Sequence, residues 1–173
     1  NSIDTDMITQ KSNATNIENN LFTSITACRL TKQKGLDRLI RVAKKCKDHN
    51  IPIKFQIIGE GPLRFELEKM SHEYEVNEMV LFMGYIENPY PYIKSADIML
   101  STSVAEGFGL SICEAMALGT PVISTKVSGP SEIIGDNEFG ILCGQSDEDV
   151  FNAMIRLKMD AHLRTHYANK GLQ

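Results

Sequence analysis

No apolar run in these 173 residues approaches the ~20 that a membrane-crossing helix needs, and the first twenty residues are polar throughout, without the apolar middle of a secretory signal. The chain therefore reads as soluble. Basic excess is missing too. The 18 Lys and Arg against 22 Asp and Glu leave a net charge of -4, which provides no broad cationic surface for nucleic acid or an anionic membrane. Any anion must be held by local groups. Cys28, Cys46, Cys113 and Cys143 form no Cys-x-x-Cys and no Cys/His ligand pair, so they read as buried thiols of a reducing compartment. His162 and His166 stand four apart on the final helix without a third ligand and read as surface residues. The acidic clusters Asp4-Thr5-Asp6 and Asp147-Glu148-Asp149 fall in a polar tail and at a helix start, so no metal site is expected. Asn13-Ala14-Thr15 matches a glycosylation acceptor by chance, since no secretion signal accompanies it.

The composition, 42% hydrophobic and 23% charged, suits one well-packed domain at this length. Residues 1–20, rich in Asn, Ser, Thr and Asp, read as an interdomain linker or tail, and residues 21–173 as the domain. Phe22 to Cys28 alternates like a strand. Leu36, Leu39, Ile40, Ala43 and Cys46 then keep helical spacing after Gly35. The alternation recurs. Lys54–Ile58 predicts a strand, Gly59 to Pro62 a turn, and Leu63, Leu67 and Met70 a helix with Pro62 at its first position. Met79–Met83, closed by Gly84, predicts a third strand, Pro89–Ser95 a short helix or turn, and Ile98–Ser101 a fourth strand. Leu110–Leu118 reads as a helix, Pro121–Ser124 and Gly140–Cys143 as further strands, and Val150, Ala153, Met154 and Leu157 as a closing helix. Apolar strands alternating with amphipathic helices predict an α/β fold, a doubly wound, Rossmann-like parallel sheet with helices on both faces. Ligands in such sheets bind beyond the carboxyl ends of the strands.

The special residues gather at those ends. Arg29 and Lys34 follow the first strand, where the fork of Arg and the point charge of Lys suit phosphate oxygens. A Lys-Gly step opening a helix is an unhelpful place for a cation unless an anion sits there. Gly59-Glu60-Gly61 begins like a dinucleotide fingerprint but has Arg64 where the third glycine belongs, which favours a tight turn approached by a ligand or a neighbouring loop. After the fourth strand, Glu106 and Glu114 flank Gly107-Phe108-Gly109 at a helix start, where free N–H groups and the macrodipole favour an anion. That is a phosphate seat between two acceptors of hydroxyl hydrogen bonds, and a nucleotide-sugar has the matching pattern. A phosphate held at the turn would keep the two carboxylates on different parts of the ligand, which argues against the paired acid and base of glycoside hydrolysis.

These residues resemble the carboxyl-terminal domain of a family 4 glycosyltransferase with the two-domain GT-B fold. The resemblance rests on Glu106-x7-Glu114 with Gly-Phe-Gly-Leu between, on the Ala-Met-Ala-x-Gly-Thr-Pro-Val-Ile that follows, and on Arg29-Leu30-x3-Lys34-Gly35, Gly59-Glu60-Gly61-Pro62 and Phe82-x-Gly84. It runs from Asn1-Ser2-Ile3-Asp4, similar to the interdomain loop, to Lys170-Gly171-Leu172. The resemblance implies transfer of a sugar, with retention, from a UDP- or GDP-sugar to an acceptor hydroxyl, with no metal and no other cofactor. Arg29 and Lys34 match the pair on the donor diphosphate, Glu106 the carboxylate on the donor sugar, and Glu114 the one on the ribose. Those three, Arg29, Lys34 and Glu106, are the implied catalytic residues. Backbone N–H groups of Phe108, Gly109 and Leu110 match the phosphate contacts, Tyr85 and Ile86 the cradle of the base, and Gly59 the turn beside it.

The acceptor-binding amino-terminal domain of such enzymes is not in this chain. The reading is thus of a donor-binding half whose partners are the nucleotide-sugar and that missing domain, in a cytoplasmic enzyme touching the inner membrane face only through the missing domain. Little or no transfer is expected of these residues alone. Rival readings are a sugar-nucleotide epimerase-like domain, which needs an acid and a base on a facing domain, and a non-enzymatic doubly wound partner-binding module.

Overall fold

A computed structural model of the chain describes residues 3–173, so the part of the linker reading that falls on Asn1 and Ser2 lies outside the described residues. Six strands, β1 (Phe22–Ala27), β2 (Ile53–Ile58), β3 (Val80–Gly84), β4 (Ile98–Ser101), β5 (Val122–Thr125) and β6 (Ile141–Cys143), form one sheet in the order β3-β2-β1-β4-β5-β6. Every pairing is parallel. The doubly wound, Rossmann-like expectation holds, and strand ends fall within one residue of those read from periodicity. The order reverses between β1 and β4, where a doubly wound sheet opens a crevice at its carboxyl edge.

Helices α2 (Leu36–Asp48), α3 (Arg64–Glu73) and α7 (Asp147–Met159) cover one face, and α4 (Tyr90–Ser95), α5 (Leu110–Ala117) and α6 (Ser128–Ile134) the other. Alternate strand residues serve the two faces. Ile98 and Leu100 pack with α2 and α7, whereas Met99 between them packs with Ile112 and Ala115. A further helix, α8 (Ala161–Gly171), follows Asp160, which caps it by accepting from the Leu163 N–H at 2.9 Å. The closing helix read as one is therefore two, because Asp160 in an extended conformation breaks α7. His162 and His166 on α8 are exposed. At the start of α7 the N-cap is Ser146, with Asp147, Glu148 and Asp149 in the first turn.

Three expectations need correction. The stretch read as a tail contains α1 (Thr5–Ser12), capped by Asp4, whose side chain accepts from Met7 N–H at 2.9 Å. Its single large apolar anchor, Ile8, is 2% exposed, and Asn19 and Asn88 donate to Ser95 and Lys11 carbonyls across α4 and α1. Tertiary packing thus supplies what the short polar sequence does not. Pro62 lies in a turn, and α3 begins at Arg64. The cysteines are all free, but only Cys46 and Cys143 are buried, since Cys28 and Cys113 sit at the half-open carboxyl edge and on the flank of α5.

Candidate functional site: a crevice at the sheet switch point

Two loops meet over the ends of β1 and β4. The first passes Thr31 into a 3-10 turn, Lys32–Lys34, and ends at Gly35, whose φ of +58° is left-handed and opens α2. A side chain at Gly35 would also strike the Thr102 carbonyl. That close approach is used. The Thr102 hydroxyl donates to the carbonyls of Lys34 and Gly35 at 3.1 and 3.0 Å, the Arg38 guanidinium donates to the Thr102 carbonyl at 3.0 Å, and Val104 N–H donates to Gln33 carbonyl at 2.8 Å. The two loops are thereby locked in register, and Lys34 faces Glu106. Their Nζ–Oε2 distance is 2.5 Å, with side chains 22% and 18% exposed, and the Ser103 hydroxyl donates to the same oxygen at 3.3 Å.

The second loop continues to Gly109, at φ +83°, the N-cap of α5 with no side chain closing it. Among the described residues no protein acceptor takes the N–H groups of Phe108, Gly109 or Leu110. Those donors sit at the positive end of the α5 macrodipole, a suitable seat for an anion. The loop rests on α6. Gly129 brings its backbone so near the Gly107 carbonyl that any β-carbon there would collide.

One turn into α5, Glu114 is half-buried and accepts from the Tyr90 hydroxyl at 3.1 Å. Burial lifts its pKa above the ordinary carboxylate value of 4.5, and the Tyr90 bond opposes the lift.

The family model described as glycosyl transferases group 1 matches residues 7–173. The chain belongs to this glycosyl transferase family. It is 35% identical over 83% of its length to an enzyme of Campylobacter jejuni named as N-acetylgalactosamine-N,N'-diacetylbacillosaminyl-diphospho-undecaprenol 4-alpha-N-acetylgalactosaminyltransferase, of which it covers 39%. Among solved structures, Staphylococcus aureus TarM with fondaparinux, alpha-GlcNAc-glycerol and UDP superposes with a TM-score of 0.82 at 29% identity, over 92% of this chain and 33% of TarM. The carboxyl-terminal domain of a group 1 glycosyl transferase (LpcC) of Francisella tularensis superposes with a TM-score of 0.76 at 29% identity, over 87% and 82% of the two chains. The chain thus spans about two-fifths of the Campylobacter enzyme and one-third of TarM.

Within this glycosyl transferase domain, the structure brings Lys34 and Glu106 together at the crevice, which Cys28, Ser103 and Ser111 also line, and Phe108, Gly109 and Leu110 lead into Ser111 with Phe108 and Leu110 exposed. Arg29 lies on the same first loop, exposed, and none of the side-chain bonds or ion pairs among the described residues uses it. Tyr85 follows β3, 76% exposed, and Ile86 packs against the core beneath α4. Gly59 serves the neighbouring loop. At φ +135° it sits against the Cys28 carbonyl, while Leu30 N–H donates to Glu60 carbonyl and Leu63 N–H to Leu30 carbonyl. The anion beside Lys34 is Glu106 of the chain itself, a pairing that the separation of 72 residues hides. Thr102, Ser103, Ser111, Gly129 and Tyr90 are site residues that the sequence reading misses. The Ser128-Gly129-Pro130 step was the available signal for the close approach, because proline tolerates a first helical turn and glycine a backbone contact. Cys28, partly buried at this edge, has a raised thiol pKa. Burial, with Glu106 adding to it and Lys34 opposing, pushes its thiol up to about 12. A larger groove between α2 and α3 is lined by Leu36, Leu63, Leu67 and Met70, and neither Lys34 nor Glu106 lines it. Among the described residues no helix is long and apolar enough to cross a membrane, and no group of three His, Cys, Asp or Glu could hold a metal ion.

Proposed function

We propose that this chain is the donor-binding domain of a family 4 retaining glycosyltransferase acting in polysaccharide, lipopolysaccharide or glycolipid synthesis. The observation that carries this reading is the Lys34–Glu106 pair in the crevice, where the loop carrying Glu106 runs on into α5 with the N–H groups of Phe108, Gly109 and Leu110 uncommitted. The donor diphosphate accepts from those N–H groups and from Lys34 and Arg29. A hydroxyl of the donor sugar then takes the place of Lys34 at Glu106. Glu114 receives the ribose, and Tyr85 and Ile86, with the turn at Gly59 alongside, frame the base. UDP is favoured over GDP because TarM, at 29% identity, is described with UDP.

In the reaction, the bond from the anomeric carbon to the β-phosphate oxygen breaks, and the acceptor oxygen forms its bond on the same face. The acceptor proton passes to the departing phosphate oxygen. Arg29 and Lys34 stabilise the charge gathering on the diphosphate, the task that other enzymes give to a metal ion. Placing donor and acceptor together supplies the rest. The acceptor is held by an amino-terminal domain of a longer cytoplasmic enzyme, and any membrane contact is made there.

Calorimetric titration of the chain with UDP, GDP, ADP and their sugar conjugates tests the reading, alongside Arg29→Ala and Glu114→Ala. The expected result is preference for one base, weakened by both substitutions by about 1.5–3 kcal/mol, the range for hydrogen bonds to charged groups. Binding unaffected by either substitution contradicts it, as does efficient sugar transfer by residues 1–173 alone for the division of labour.

A further inference from the structure

Tyr90 stands outside every donor contact assigned above. It opens α4 directly after Pro89, and its ring packs into the apolar cluster that also holds Ile93, Ile112 and Ala115. Only its hydroxyl turns to the site, donating to Glu114 Oε1 at 3.1 Å. A glutamate side chain has three rotatable bonds and needs something to hold its carboxylate in one orientation. The Tyr90 bond joins α4 to α5 through that carboxylate and takes one of its roughly four lone-pair positions. Among the described residues Oε2 accepts no hydrogen bond, so this oxygen and the second lone pair of Oε1 are left for a ligand with two adjacent O–H donors.

We propose that Tyr90 is the positioning residue that orients the Glu114 carboxylate toward the ribose cis-diol, and that it thereby sets the preference for ribonucleotide over deoxyribonucleotide donors. The proposal rests on the reading in which Glu114 receives the ribose. A donated bond also favours the charged carboxylate, the form that accepts from both hydroxyls, against the burial that disfavours it.

The experiment titrates UDP and 2′,3′-dideoxy-UDP into the chain, Tyr90→Phe, Glu114→Gln and the double variant. Tyr90→Phe keeps the packed ring and removes only the donor. The expected result is a loss of UDP affinity of about 2- to 10-fold in Tyr90→Phe, the range for one hydrogen bond, with dideoxy-UDP affinity unchanged. In the Glu114→Gln background the second substitution then has no further effect. An equal loss for both nucleotides marks a merely structural tyrosine and overturns the proposal, as does no loss for either. Should Glu114→Gln leave the UDP to dideoxy-UDP ratio unchanged, the ribose reading itself fails. Should Glu114→Gln collapse that ratio while Tyr90→Phe preserves it, only the role of Tyr90 fails. Carbon-detected NMR titration of the Glu114 carboxyl, faced by Tyr90 from α4 and by Cys113 on its own helix, reads the same bond without nucleotide. It moves to higher pH in Tyr90→Phe, and an unmoved titration contradicts the proposal.

Discussion

The two loops over the crevice are built in opposite ways. The loop after β1 spends its polar groups on the protein: Leu30 bonds to the Glu60 and Leu63 backbones, Lys34 and Gly35 carbonyls accept from Thr102, and the Gln33 carbonyl accepts from Val104. The loop after β4 is tied down only at its beginning, and from Gly107 onward it rests on Gly129 with its N–H groups uncommitted. One loop is a frame that aims a cation. The other is an open set of donors, and the Lys34–Glu106 pair joins the two. Phe108 and Leu110 are exposed, so water can meet their N–H groups, and at the positive end of the α5 dipole an anion is suited to replace that water.

That contrast can be broken at four places. The largest effect is expected from Gly59→Ala, which combines a φ of +135° with a collision at the Cys28 carbonyl. Urea unfolding should show a loss of about 3 kcal/mol or more, because the framed loop cannot move without the sheet edge. Lys34→Met comes next. Nucleoside diphosphate affinity should fall roughly 10- to 100-fold, matching one charged hydrogen bond, while stability falls by only about 1–2 kcal/mol because Ser103 still serves Glu106. Gly129→Ala acts on the open loop instead. It pushes the Gly107 carbonyl away and should weaken nucleotide binding by about 1–2 kcal/mol in calorimetry, with a loss of stability of about 1–3 kcal/mol in urea, smaller than at Gly59, where the left-handed φ adds to the collision. The smallest effect is on pH. The Glu114 carboxyl, raised by burial above 4.5, accepts hydroxyl hydrogen bonds more strongly when charged, so if it holds the ribose, UDP affinity should decline as pH falls through its raised value more in the parent chain than in Glu114→Gln. For folding the sign is reversed. The native state holds that proton more tightly than the unfolded one, so this group's contribution to stability decreases as pH rises from 4.5 through its folded value.

Sheet and site were legible to different depths. Period-two strands, the Gly-Phe-Gly turn and the Arg-x4-Lys spacing are local signals, and they located the loops of the crevice. Helix α1 was not legible because its fold depends on one buried apolar residue, Ile8, and on a cap, within a stretch whose composition is that of a tail. Helix α6 escaped because Ser128-Gly129-Pro130 reads as a breaker, although proline and glycine sit acceptably in a first turn against another backbone. The pairing of Lys34 with Glu106 and the reach of Tyr90 to Glu114 join residues 72 and 24 positions apart, and only the sheet order brings them together.

On the proposed reading, the loop after β4 holds its N–H groups ready for a diphosphate. Amide chemical-shift mapping of the isotope-labelled chain on addition of UDP addresses it most directly. The largest shifts are expected at Phe108, Gly109 and Leu110, with smaller ones at Lys34 and Gly35. Saturable binding that leaves those three amides unmoved, and shifts instead the residues of the groove between α2 and α3, would contradict it.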